Sequence, residues 1–354
     1  MEFHGDYLLE WANELGKSED FIEKLQEYVS RLETADLPII FSPLHWSRLM
    51  GMNYSDVLSI LNNRNAYYNQ FRIKKKRGGF RHIDAPNPEL YTIQNWIRSF
   101  ILDQVKFPKE ITSYQKGKSI IDNAKPHVNK DLIVKFDLKD FFRTVTEDRV
   151  FGIFRMLGYN KAVAIDLSKA CCIDIPEKHT EKKLKYSFGC LPQGAPSSPA
   201  LSNLSAVKMD YRLIAYAKSK NLDYTRYADD ITLSGKVSDK PSLWAIKQIV
   251  KDDGFVLNIL KTKYVHRSSQ QIVTGLTVNE RLSIPKRDRK QIHTHLHNCI
   301  NFGPYHHLGR MKIHKRNYRE WLLGNIVYIQ MIHPTEGRLL REKFNLINWF
   351  DNSN

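Results

Sequence analysis

Tyr227-Ala228-Asp229-Asp230 is the stretch of this sequence best equipped for chemistry. Two short alternating apolar runs, Tyr224 to Tyr227 and Ile231 to Ser234, flank it, and this pattern predicts a β-hairpin with the acidic pair at its tip. Adjacent carboxylates repel and raise each other's pKa. A divalent cation relieves that cost. Magnesium takes few protein carboxylates and fills its shell with water and substrate phosphate, so the pair points to metal-assisted phosphoryl chemistry. Alone, an Asp-Asp turn is equally well explained as a solvated loop, and other residues have to decide.

A further carboxylate stands at the end of a predicted strand. Leu132-Ile133-Val134-Lys135-Phe136 is an apolar run rich in β-branched residues, hence a buried strand, and it ends at Asp137. A strand-end aspartate beside an Asp-Asp hairpin suits two-metal phosphoryl transfer, in which ions about 4 Å apart share a bridging carboxylate. A helix N-cap accounts for Asp137 just as simply. Asp140 is expected to face away on a continuing turn. The third element is Leu191-Pro192-Gln193-Gly194-Ala195-Pro196-Ser197-Ser198-Pro199, whose prolines and glycine predict a rigid loop ahead of a long helix. Gln193 can present its amide to a nucleotide or base, or the loop can serve only to cap the helix.

Positioning these groups requires a scaffold of mixed elements. Helices are expected from about 18 to 33 (N-cap Ser18, with Phe21, Leu25, Tyr28 and Leu32 on one stripe), from 42 to 62, and from 89 to 105. A basic hairpin is expected over 70–86, turning at Lys75-Lys76-Arg77-Gly78-Gly79. A long helix from Pro199 to about Ser219 carries Ala200, Asn203, Leu204, Val207, Tyr211 and Ile214 on its apolar face. A helix over 240–252 and a strand over 255–258 follow the acidic hairpin. After Pro285 the chain turns basic and helical, with Ile292, Leu296, Cys299 and Ile300 on one stripe and Leu322, Ile326 and Ile329 on another. Without regular βαβ alternation, this order predicts an α+β core followed by a helical unit, with a boundary near 280.

The chain of 354 residues is long enough for two or three domains, and its 42% hydrophobic content is that of a globular protein. A net charge of +16 favours a polyanionic partner, most simply nucleic acid, although a basic surface alone is compatible with other roles. Cys171, Cys172, Cys190 and Cys299 form no C-x-x-C pair, so neither a zinc ribbon nor a disulfide framework is expected, and a reducing cytoplasm is the natural setting. No apolar run reaches the ~20 residues of a membrane span, and no membrane association is expected. His293, His295 and His297 do not share one helical face, so packing or RNA contact is expected there rather than a metal. Cys171-Cys172, Trp46, Trp96 and Trp321 read as packing residues.

The acidic hairpin, the strand-end Asp137 followed by Phe141-Phe142, and Leu191-Pro192-Gln193-Gly194 resemble reverse transcriptases in order and spacing. The resemblance covers about residues 40–335. It implies a right-hand polymerase of α+β class: a helical extension over 1–40, fingers over 41–131, a palm over 132–280 and a basic helical thumb over 281–354. It implies that Asp137, Asp229 and Asp230 are catalytic and bind two Mg²⁺ ions. Phe142 would be the steric gate that selects dNTPs, Gln193 and Gly194 would line the nucleotide pocket, and Arg81, with Lys74 to Lys76 nearby, would hold the triphosphate. Lys261 resembles the lysine near the leaving pyrophosphate, a role that Lys263 could also fill.

Two shorter segments resemble retron reverse transcriptases in particular: Asn123-Ala124-Lys125-Pro126-His127 and Val273-Thr274-Gly275. The same segments can also be read as a loop and a turn. The resemblance implies that the chain binds a cognate structured noncoding RNA and copies part of it from dNTPs into cDNA. Synthesis would start from an RNA 2′-OH and leave a branched RNA–DNA molecule. It further implies a role in anti-phage defence beside a separate effector protein. Asn123, His127, Val273, Thr274 and Gly275 are expected to contact RNA, as are Lys286, Arg287, Arg289 and Lys290 in the basic run. Two rival readings are a group II intron-type enzyme, which normally carries a maturase region, and a non-synthesising RNA-binding scaffold for an effector.

Overall fold

The computed structural model describes residues 14–75, 78–174, 189–312 and 315–349. Its centre is a four-stranded antiparallel sheet in which Leu132–Asp137 lies between Asp230–Gly235 and Lys263–His266, with Asp223–Tyr227 on the far side of Asp230–Gly235. Among the described residues the strands in chain order are β1 (Tyr68–Lys74), β2 (Phe80–Pro86), β3 (Leu132–Asp137), β4 (Ile173–Asp174), β5 (Gly189–Cys190), β6 (Asp223–Tyr227), β7 (Asp230–Gly235), β8 (Lys263–His266), β9 (Ile272–Val273) and β10 (Leu276–Thr277). β3 is a central strand, and five of its six residues are buried. A run of branched apolar side chains satisfies both faces of such a strand, which is why its sequence does not alternate.

The long helix Ser198–Ser219 packs against β6 and against the helices Glu147–Met156 and Leu243–Asp252. It is buried on most sides, so its apolar stripe is broad. Tyr211, expected on that stripe, is 60% exposed instead. Ile300 in the helix Lys286–Phe302 also faces outward, whereas Ile292, Leu296 and Cys299 are buried.

Several sequence expectations are refined. The helical stretch expected over 42–62 is two helices, Pro43–Met50 and Tyr54–Asn62, because Gly51 takes a left-handed φ of 68° and ends the first. The helix from Pro88 stops at Phe100 and passes into a 3₁₀ turn, Leu102–Gln104. The strand expected over 255–258 does not form. Leu257 makes only an isolated bridge with Leu138, and the chain enters a 3₁₀ turn, Ile259–Lys261. The fourth strand of the sheet is β8 instead, paired with β3. The helices Glu147–Met156 and Lys161–Cys171 were not apparent from periodicity.

Apolar burial divides into two clusters. The larger joins the N-terminal helices, the sheet and the helix Ser198–Ser219, and it includes Cys171, Cys172 and Trp46. The smaller gathers the C-terminal helices with Val273, Leu276 and Val278, and reaches back to Ala124 and Ile133. Ile133 lies on β3, so the central strand contributes to both clusters. All four cysteines are free and buried. Among the described residues no helix is long and apolar enough to cross a membrane.

Candidate active site

Strand pairing brings the acidic residues together. In the β3–β7 ladder Asp137 sits directly opposite Asp230. In the β6–β7 hairpin Tyr227 pairs with Asp230, so Ala228 and Asp229 form a two-residue turn. The Asp229 carbonyl accepts the Leu138 amide at 2.9 Å, locking the turn to the end of β3. Asp137 and Asp230, 93 positions apart, thus share one sheet end through register alone.

The site is electrostatically unbalanced. Burial and the charges of Asp230 and Asp137 push the Asp229 carboxyl up to about 6. Asp230 is raised as well, first by burial and then by Asp137, with Lys135 and Lys261 opposing. Lys261 binds both Asp137 oxygens at 2.9 and 3.0 Å, and this contact is the main reason its own pKa rises. Between the two candidate lysines, geometry favours Lys261, although Lys263 lines the same cleft. Among the described residues no three His, Cys, Asp or Glu side chains form a group that could hold an ion, and Asp137 is engaged by the Lys261 ammonium. The donor set nevertheless suits a hard cation. It is all oxygen, it carries excess negative charge, and magnesium needs only one or two protein carboxylates besides water and phosphate.

A cleft of about 1000 Å³ opens over these carboxylates. Asp137, Asp230 and Lys261 line one side, and Lys74, Lys75, Gly78 and Arg81 of the β1–β2 hairpin line the other. The expected basic hairpin therefore faces the acidic end of the sheet, which is an arrangement able to grip a polyphosphate between cations and a metal site. Lys76 and Arg77 lie outside the described residues.

The Gln193-Gly194 loop is fastened to that hairpin. Asp84 of β2 is 1% exposed. Its amide donates to the Gln193 carbonyl at 2.8 Å, and its carboxylate accepts from the Gln193 amide and from Arg143, each at 3.3 Å. Gly194 has φ 139°, and a Cβ there would lie 2.9 Å from the Asp84 carbonyl, so the close approach requires glycine. Phe142 is half-buried, its ring 6.4 Å from that of Tyr114. Tyr114 is itself pushed up to about 12 by burial and by Asp229. Asp140 is exposed in a left-handed conformation, as expected of a turn residue.

The expected RNA contacts divide sharply. The Asn123, His127 and Val273 side chains are enclosed, at 1%, 0% and 0% exposure, and present no surface to a nucleic acid. The RNA-contact expectation is therefore corrected for these three. Both His127 ring nitrogens are bonded inside the sheet, to Ser234 Oγ at 2.6 Å and Thr225 Oγ1 at 2.8 Å. Asn123 accepts from Thr112 Oγ1 and donates to Thr274 Oγ1, so the two retron-like segments touch each other. Thr274 also donates to the Ile120 carbonyl, and Gly275 is exposed, with Tyr328 nearby. A local motif cannot disclose such burial, because the partners lie on strands about 100 residues away. Lys286, Arg287 and Lys290 are exposed, but Arg289 pairs with Glu336 at 2.8 Å. His295 is buried against His307 and Tyr318.

Residues that sequence reading missed include Asp84, Arg143, Tyr114, Ser113, Asp210 and Arg226. Arg226 and Asp210 form a fully buried ion pair at 2.6 Å behind the acidic turn. The one available signal was Arg226 flanked by Thr225 and Tyr227 in a strand leading to the acidic turn, since a charge buried in a sheet needs a partner.

Residues 73–293 match the sequence family described as reverse transcriptase (RNA-dependent DNA polymerase). The retron Ec86 reverse transcriptase of Escherichia coli is 34% identical over 284 residues, covering 78% of this chain and 84% of that protein. The retron Ec73 enzyme of the same organism is 30% identical, covering 79% and 88%. The retron Mx162 enzyme of Myxococcus xanthus is 32% identical, covering 77% of this chain but only 59% of the relative. Telomerase from Candida albicans, solved with a fragment of telomeric RNA, aligns at TM-score 0.42 and 13% identity over 81% of this chain and 57% of that one, too distant a likeness to argue from. With a family match spanning the acidic hairpin, the strand-end aspartate and the cleft above them, the chain belongs to the retron-type reverse transcriptases and is an RNA-directed DNA polymerase.

Proposed function

We propose that this polymerase copies part of a cognate structured noncoding RNA into single-stranded DNA. Synthesis starts from an RNA 2′-OH, so that the product is a branched RNA–DNA molecule. The observation that carries the catalytic part is the register: Asp137 opposite Asp230, with Asp229 in the adjoining turn. In this reading residues 41–131 act as fingers, 132–280 as palm and 281–354 as thumb.

Asp137, Asp229 and Asp230 would hold two Mg²⁺ ions, and the chemistry supplied there would be Lewis-acid activation of the attacking hydroxyl and charge stabilisation for the leaving pyrophosphate. The protein's own groups do the rest. Arg81 and Lys74 clamp the dNTP triphosphate, Lys261 exchanges its hold on Asp137 for the departing phosphates, and Phe142 occupies the space a ribose 2′-OH needs. Gln193 and Gly194, braced by Asp84, form the floor under the base. Lys286, Arg287 and Lys290 grip RNA phosphates, a contact whose affinity falls with salt.

A cytoplasmic location, a separate effector protein and a part in anti-phage defence rest on kinship to the retron enzymes alone. Sequencing the nucleic acid that co-purifies with the chain tests the priming step. A branched RNA–DNA species is the expected finding, and linear cDNA or bare RNA would overturn it.

A further inference from the structure

The turn that presents Asp229 and Asp230 is held in an unfavourable conformation. Ala228 has φ 56°, a left-handed value that is strained for a residue with a Cβ. Both of its backbone polar groups are held from outside the hairpin ladder. Its amide donates to Ser113 Oγ at 2.7 Å, and its carbonyl accepts from Arg226 Nη1 at 2.9 Å.

These two partners are themselves joined. Asn203 accepts from Arg226 Nη1 at 3.0 Å and donates to the Ser113 carbonyl at 2.8 Å. Asp210 anchors the other edge of the guanidinium at 2.6 and 2.7 Å. Arg226, Asp210, Asn203 and Ser113 are each 0% exposed. Helix Ser198–Ser219 supplies Asn203 and Asp210, so the turn is tied to a buried 22-residue helix of the core.

We propose that Ser113 and Arg226 are positioning residues for metal binding: together they clamp Ala228 in its left-handed conformation and so aim the adjacent carboxylates. Neither side chain touches metal or nucleotide. Without the clamp the turn relaxes towards an ordinary φ, and Asp229 rotates away from Asp137. The inference rests on Asp229 and Asp230 being metal ligands.

The test uses the full chain and removes one oxygen, Ser113→Ala. Mn²⁺ binding to the nucleic-acid-free protein is read from loss of the free-ion EPR signal. Alongside it, the Mg²⁺ dependence of single-nucleotide addition on a primed RNA template is measured. Loss of one ordinary hydrogen bond corresponds to about a fivefold change, so both half-saturating concentrations are expected to rise about fivefold. Nucleotide KM at saturating Mg²⁺ stays as in the parent. Ala228→Gly placed in the Ser113→Ala background restores most of the Mn²⁺ affinity, because glycine takes a positive φ without strain. Arg226→Lys, which cannot span from Asp210 to the Ala228 carbonyl, serves as a second variant and shifts in the same direction. Unchanged Mn²⁺ binding in Ser113→Ala, or a loss that Ala228→Gly does not repair, overturns the clamp. Asp229→Asn separates the two ideas. If it also leaves Mn²⁺ binding intact, the ligand assignment fails; if it abolishes binding while Ser113→Ala is silent, only the clamp is refuted.

Discussion

Two clusters of charge lie back to back on the same hairpin, and they are built to opposite rules. Behind the turn, Arg226 and Asp210 are completely buried, and every hydrogen-bonding atom of the guanidinium edge finds a partner in Asp210, Asn203 or Ala228. In front of it, Asp137, Asp229 and Asp230 share one sheet end, with the exposed Lys261 paired to Asp137 and Lys135 offsetting part of the charge on Asp230. The rear cluster is closed and sums to zero charge. The front cluster is open and holds an excess of negative charge at the mouth of a cleft. A buried pair that satisfies itself stabilises a geometry, whereas a like-charge group left unbalanced is poised for something that arrives later. The contrast sets a self-satisfied charge pair against an unbalanced one within three residues of sequence.

The sharpest way to break this contrast is to neutralise the front. Asp229→Ala with Asp230→Ala should reduce DNA synthesis by at least about 10⁴-fold, the scale on which essential catalytic groups act, while RNA binding in a filter assay persists. Measurable synthesis by that double variant would sink the assignment. A gentler probe has the opposite sign: Asp229→Asn relieves like-charge repulsion, so metal-free protein carrying it should melt at a higher temperature than the parent while losing activity. A lower melting temperature would show that the front cluster is structural after all.

Opening the rear cluster comes next in size. Asp210→Ala leaves Arg226 charged and buried without its partner, a change that costs about 3–5 kcal/mol, and urea unfolding should show it. Loss of activity without loss of stability would mean that the pair is not the anchor it looks like.

His127 extends the closed set. Burial holds its pKa down at about 3 in the folded state. Its ordinary value is 6.5, so above that pH both states bind the same number of protons. As pH falls below 6.5 the unfolded chain gains a proton that the native ring refuses, and stability is lost. Between pH 6.5 and 5 the loss amounts to about 2 kcal/mol. His127→Asn should flatten that part of the stability profile, and a slope identical to the parent's would count against the enclosed, neutral imidazole.

Two smaller effects probe the open side. Phe142→Val should raise ribonucleotide incorporation about 10- to 100-fold, the range available from reshaping an apolar contact. Unchanged discrimination would shift attention to Tyr114. Lys286→Ala with Lys290→Ala should reduce the salt slope of RNA affinity by about 2. Arg289→Ala should instead lower stability slightly, since its partner is Glu336.

The front cluster was legible before any coordinates because its chemistry is local. Two adjacent carboxylates in a turn, a strand that stops at an aspartate, and a proline-bound Gln-Gly loop are each visible within ten residues. The β1–β2 hairpin and the helix Ser198–Ser219 were equally plain, the first from its Gly78-Gly79 turn between two strand-like runs and the second from the length of its apolar pattern after Pro199. β8 and the enclosure of Asn123 and His127 were not. A four-residue strand has too little pattern to stand out, and a buried histidine reads like an exposed one until the strands that cover it are placed.

Residue type and spacing therefore marked which carboxylates were candidates for metal-assisted phosphoryl chemistry, because an Asp-Asp turn carries its electrostatic cost wherever it occurs, and the resemblance to reverse transcriptases narrowed that reading. Only tertiary structure decided that Asp137 pairs with Asp230, that Lys261 rather than Lys263 reaches the carboxylate, and that Arg226 faces inward to hold Ala228. Each of those outcomes depends on strand register and on which side of a sheet is covered, and a one-residue slip in register would reverse them without altering any local motif.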